Sequence, residues 1–84
     1  MIIISERTWK TIEIQSKKVR FKNPSLRLNL NNQIIFEELC DRNTDTHIFG
    51  PSGTIVVINK KNTEIFKNSV LIYEKESFKI IQTV

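Results

Sequence analysis

Eighty-four residues make one small domain with room for a single core, which leaves little space for a deep catalytic cleft built from its own side chains. A hydrophobic content of 39%, 26% charged residues and only two glycines and two prolines exclude a flexible linker protein. The net charge of +4 leaves acidic surfaces and nucleic acid open as partners, and the single cysteine, Cys40, excludes an internal disulfide.

The opening "MIII" is too short for a signal-peptide core and has no basic segment before it. No apolar run approaches the roughly 20 residues of a membrane span, so no membrane association is expected. With one unpaired thiol, a reducing, cytoplasmic setting is the expectation. Residues 1–10 read as an N-terminal extension carrying a short β-branched edge strand, through which two chains could pair. The oligomeric state is otherwise open.

"TIEIQSKKVRF" alternates, with Ile12, Ile14, Val19 and Phe21 apolar and Glu13, Lys18, Arg20 and Lys22 charged. "NPS" punctuates it, because Pro24 fixes its own φ and biases Asn23 away from helix. Alternation resumes in "LRLNL". Residues 11–30 therefore predict a β-hairpin turning at Asn23–Ser25.

"NNQIIFEELCDRN" changes period. Asn31 or Asn32 offers an N-cap, and the pairs Ile35/Leu39 and Phe36/Cys40 fall on one helical face. A helix over 32–42 is expected, with a strand over 33–37 as the rival reading. Residues 41–53 are rich in loop formers. "TIVVINK" is a continuous apolar run, as in a strand covered on both faces. "VLIY" and "FKIIQTV" flank "EKES", which suits a turn into a last strand, so residues 54–84 read as C-terminal strands.

Hairpin, helix, loop, buried strand and final strand make an α+β chain. The ββαββ order predicts a β-grasp, or ubiquitin-like, fold: one mixed sheet packed on one helix, with an extra N-terminal strand and a single domain over 1–84.

Residues with latent chemistry are sparse. His47 is the only histidine and no second His or Cys stands near it, so no metal site is expected. Cys40 reads as a small buried hydrophobe on the helix's core face. Ser52-Gly53 lacks the glycine spacing and lysine of a phosphate-binding loop. Glu37 and Glu38 point to different helical faces, so adjacency alone makes no acid/base pair. No catalytic residue and no cofactor are expected.

Charge is uneven. Residues 7–27 hold seven cations against Glu13, whereas 28–50 are acidic. Arg7, Lys10, Lys18, Arg20 and Lys22, with Trp9 as an exposed stacking platform, form a candidate nucleic-acid interface. The plainer reading is a solvated strand face. Phe21 shares the parity of the apolar face and reads as core.

The second half resembles a known family. "QIIFEELCDR", "TIVVINKKNTEI" and "YEKESFKIIQTV" are similar, in that order, to segments of the ThiS/MoaD-type sulfur carriers. In that family a helix ends in an "ELL" run, a strand reads roughly "VAVNGEIV", and an Asp-Gly-Asp turn leads to the last strand. Glu38-Leu39, Val57-Ile58-Asn59 and Glu64-Ile65 fall at those motifs. Glu74-Lys75-Glu76 stands where the turn falls, with Lys75 in place of its glycine.

The resemblance covers about residues 33–84 and implies a non-enzymatic carrier or adaptor that docks on an adenylating or sulfur-acceptor enzyme. By position, Phe66, Tyr73, Phe78 and Val84 would form the docking face. The family's chemistry resides in a C-terminal Gly-Gly, whereas this sequence stops at Val84. Either the reactive tail is lost and binding survives, or the native chain continues. Two readings stand: a protein-docking carrier relative, and a basic nucleic-acid-binding domain using residues 7–27.

Overall fold

The computed structural model describes residues 1–40 and 43–82. A two-residue strand β1 (Ile3–Ile4) leads into helix α1 (Glu6–Ser16). Strands β2 (Pro24–Leu28), β3 (Ile34–Glu38), β4 (Asp45–Phe49), β5 (Ile55–Asn59), β6 (Ser69–Glu74) and β7 (Ser77–Gln82) follow. Short 3-10 turns sit at Leu30–Asn32, Pro51–Gly53 and Lys60–Asn62.

The strands divide into two sheets. One has the order β1-β6-β7, with β1 parallel to β6 and β6 antiparallel to β7. The other has the order β3-β2-β5-β4, with β2 and β5 parallel at its centre and antiparallel strands at both edges. One buried cluster joins them: Leu26 and Leu28 from β2, Val56 and Ile58 from β5, Leu71 from β6, Ile12 from α1, and Ile2 and Phe66. The chain is thus α+β, but a single mixed sheet on one helix does not describe it.

The helix lies at 6–16, where a strand was expected from residue 11. Ser5 caps it, its Oγ accepting from Thr8 N at 3.2 Å, and Glu6 occupies the first turn. Thr8 and Ile12, four apart, are buried, whereas Ile14 is 48% exposed. The Ile12/Ile14 alternation was two residues deep, and the helical period with its cap prevails. Residues 11–30 accordingly form no hairpin. Pro24 opens β2, the first position of a strand being one of the few that tolerate a missing N–H.

Residues 32–42 are corrected in the same way. Asn31 and Asn32 have φ of 63° and 57° and lie in the turn that joins β2 to β3. Asparagine tolerates this left-handed region better than most residues, so the pair makes a hairpin turn rather than a cap. Ile34–Glu38 then pairs antiparallel with β2 and alternates: Ile34 and Phe36 join the core, while Ile35 is 52% exposed. The rival strand reading is the one realised, and the helix's last two positions fall outside the described residues.

Within the expected loop 41–53, Asp45–Phe49 forms edge strand β4, with Ile48 packed on the core. β5 is central, as its apolar run predicts, with Val56, Val57 and Ile58 all buried. β1 takes the edge position foreseen for an extra N-terminal strand.

The β6–β7 hairpin turns at Lys75 and Glu76, whose φ values are 52° and 66°. A two-residue turn of this hand favours Asn-Gly, because a Cβ is strained there. Replacing Lys75-Glu76 by Asn-Gly is expected to stabilise the domain by about 1 kcal/mol, read as a rise of roughly 4–8 °C in Tm. An unchanged or lowered Tm would contradict this turn geometry.

Candidate nucleic-acid interface

Helix α1 presents its buried side, Thr8 and Ile12, to the core, and Thr8 Oγ1 donates to Leu71 O at 3.2 Å. That contact fixes the helix against β6 and sets which residues face outward. Arg7, Lys10, Ile14 and Lys17 recur at three- and four-residue spacing and are all exposed. Lys18, Arg20, Phe21 and Lys22 continue the exposed run through the loop into β2.

Residues 6–22 hold six cations against Glu6 and Glu13, a net +4 that equals the charge of the whole chain. The remainder is therefore neutral on balance. Among the described residues, only Lys17 of these six cations forms an ion pair, to Glu13 at 3.9 Å. With Lys17 76% exposed, such an i,i+4 pair contributes no more than about 0.5 kcal/mol. The basic face is thus available to an external anion.

Arg27, the seventh cation of the 7–27 segment, is employed elsewhere. Its guanidinium reaches across β5 and donates to both carboxylate oxygens of Asp45, at 3.1 and 2.8 Å, while Nε donates to Glu37. Hydrogen bonding to Asp45 raises its pKa further above the ordinary arginine value, burial opposes this, and Glu37 adds to it. Arg27 is a structural cation of the four-stranded sheet.

The two aromatic residues exchange the roles expected of them. Trp9 is half-buried, and its ring lies so close to Gly50 that a Cβ there would overlap it. Trp9 thereby braces the β4–β5 turn instead of offering a free face. Phe21, expected in the core, is 41% exposed within the basic run. Ile14 also emerges beside the cations, a position that only helical spacing reveals.

Of the docking face implied by the family resemblance, Phe66 is buried, while Tyr73 and Phe78 are half-buried. Phe66 is 4% exposed, and Tyr73 and Phe78 pack edge to face at 4.8 Å, with Tyr73 Oη accepting from Gln15 at 3.4 Å. Val84 lies outside the described residues. The segment similar to the carriers' helix runs along β3, whereas those similar to their later strands do fall on β5 and the β6–β7 hairpin.

Cys40 is exposed, not buried. His47 sits on β4 beside Phe49, with ring centroids 6.2 Å apart, and its Nε2 is buried without a hydrogen bond among the described residues. No group of three His, Cys, Asp or Glu side chains suited to a metal occurs among the described residues. No helix there is long and apolar enough to cross a membrane.

Fold and surface together define a small α+β domain whose net charge is concentrated at the end of α1 and in the loop that follows it. Compared with known proteins, the chain matches no family model, no curated protein and no solved structure.

Proposed function

We propose that this chain acts by binding nucleic acid, through the outward face of α1 and the loop that follows it. One observation carries the reading: the entire net charge resides in residues 6–22, where Arg7, Lys10, Lys18, Arg20 and Lys22 are exposed and unpaired among the described residues. Phosphate backbones are bound by such cations through counterion release. Phe21 within the run adds an apolar ring for base contact.

An anionic membrane surface fits less well. The helix's buried residues face the core, and its exposed side offers Ile14, with Phe21 in the loop beyond it, as isolated apolar contacts and not a stripe able to enter lipid. A protein partner of the sulfur-carrier type would call on Phe66, Tyr73 and Phe78, of which Phe66 is buried in the core and the other two are half-buried against each other.

The test is fluorescence anisotropy with labelled oligonucleotides over a salt series. If most of the six cations contact phosphate, affinity falls about 100-fold between roughly 50 and 200 mM salt. Absence of binding at low salt, or equal affinity for vesicles of anionic lipid, would overturn the proposal.

A further inference from the structure

A cleft of about 270 Å³ opens at the C-terminal end of α1, where the basic run ends. Its apolar lining includes Ile12, Pro24, Phe36 and Leu39, and Lys22 and Asn23 stand among its polar residues. From these residues we infer that the cleft accepts one unpaired base, so that the nucleic acid bound is single-stranded. This inference rests on the nucleic-acid reading above and specifies the form of its ligand.

Three features support the assignment. The volume lies just below the usual range for small-molecule sites, about 300–1,000 Å³, and suits a single planar ring better than a larger ligand. The ring of Phe36 is held edge to face against Phe78, with centroids 6.2 Å apart, so the apolar lining is already in place before a ligand arrives. The Lys22–Asn23 segment is also fixed: both backbone N–H groups donate to the Glu38 carboxylate, at 2.9 and 2.6 Å. Those two amides anchor the Glu38 side chain and hold the loop against the end of β3.

Charge supplies the occupant. Lys17, Lys18, Arg20 and Lys22 lead along the loop to this cleft, and a strand following them would deliver its bases there. A larger depression of about 500 Å³ beside the first turns of α1 includes Arg7 but also Glu74, which disfavours a polyanion. In a duplex the bases are stacked and paired, and none is free to enter. Single strands bind by combining a cationic track with apolar or aromatic contact to unstacked bases.

The experiment compares three probes of equal length and phosphate count: an oligothymidine, the matching duplex, and an abasic single strand. The unaltered protein should bind oligothymidine at least about 10-fold more tightly than either of the others. Leu39→Trp, which fills the cleft and leaves every cation in place, should bring oligothymidine down to the abasic affinity. Should that variant misfold by circular dichroism, the three-probe comparison on the unaltered chain decides alone. Equal affinity for oligothymidine and the abasic strand, or a preference for duplex, would overturn the base-binding cleft while leaving the basic interface standing. Failure to bind any of the three would overturn both.

Discussion

Replacing Arg7, Lys10 and Lys18 together by glutamate is expected to abolish oligonucleotide binding. The three exposed sites lie on one side of α1 and the start of the loop, and the change takes the chain from a net charge of +4 to −2. Removing three phosphate contacts lowers the salt slope by about 2 for a single strand, and the three new carboxylates add repulsion. Affinity at about 50 mM salt should fall at least roughly 100-fold. Folding should change little, since exposed substitutions usually stay within about 0.5 kcal/mol each. The helix dipole favours glutamate at residue 7 and disfavours it at residue 18, so those two contributions offset each other.

The informative control reverses Lys60, Lys61 and Lys67, which are also exposed but lie away from α1. It imposes the same overall charge change. A local interface predicts that this control retains most of the binding. Equal loss in both triple variants would show that bulk charge alone drives association, and the assignment to α1 would fail.

The second large effect is on stability. Arg27 and Asp45 form a bidentate pair whose side chains are only 13% and 2% exposed, with Glu37 attached to the same guanidinium. Truncating Arg27 to alanine removes a bidentate guanidinium from a buried carboxylate, a change that typically costs about 3 kcal/mol or more. Tm should drop by roughly 12 °C or more. Lys79→Ala breaks a pair to Glu74 of 3.5 Å between side chains 41% and 54% exposed, and should cost less than about 1 kcal/mol. If the two variants proved equally mild, the Arg27 network would carry no special weight.

The sign of any alkaline effect follows from the direction of the Arg27 shift. A cation whose pKa is raised in the folded state stabilises fully below its unfolded value and loses that contribution only as pH climbs through the folded value. Both lie above the range in which the chain can be handled, so Arg27 should add no alkaline limb to the stability profile below about pH 11.

Much of the fold was legible where one local signal stood unopposed. The apolar run at 54–60 read as a strand covered on both sides, and it occupies the centre of the four-stranded sheet. "EKES" between two apolar segments marked the last hairpin. Signals that competed were harder to rank. Ile12 and Ile14 suggested a strand, yet the structure caps a helix with Ser5 and buries Thr8 and Ile12 on its inner side. Asn31-Asn32 suited a helix start and a left-handed turn equally well. Only pairing of β3 with β2 resolved it, because Ile34 and Phe36 reach the core solely in the extended form.

The candidate site divides along the same line. Its charge was present in the sequence, since the density of lysine and arginine over residues 7–22 needs no coordinates to be seen. The class, α+β with a central buried strand, was named correctly, although the helix behind it was expected at 32–42 and lies at 6–16. Tertiary structure alone decided which cations are available: Arg27 is drawn away by carboxylates 10 and 18 residues distant, a relation that exists only once β3 and β4 flank the sheet. It also decided that Trp9 is held against Gly50 while Phe21 stays in solvent, for the side to which a ring turns depends on what packs beneath its helix or loop. The cleft beside Lys22 is of the same kind, assembled from α1, β3, the first residues of β2 and β5 and the segments between them, which no local pattern relates.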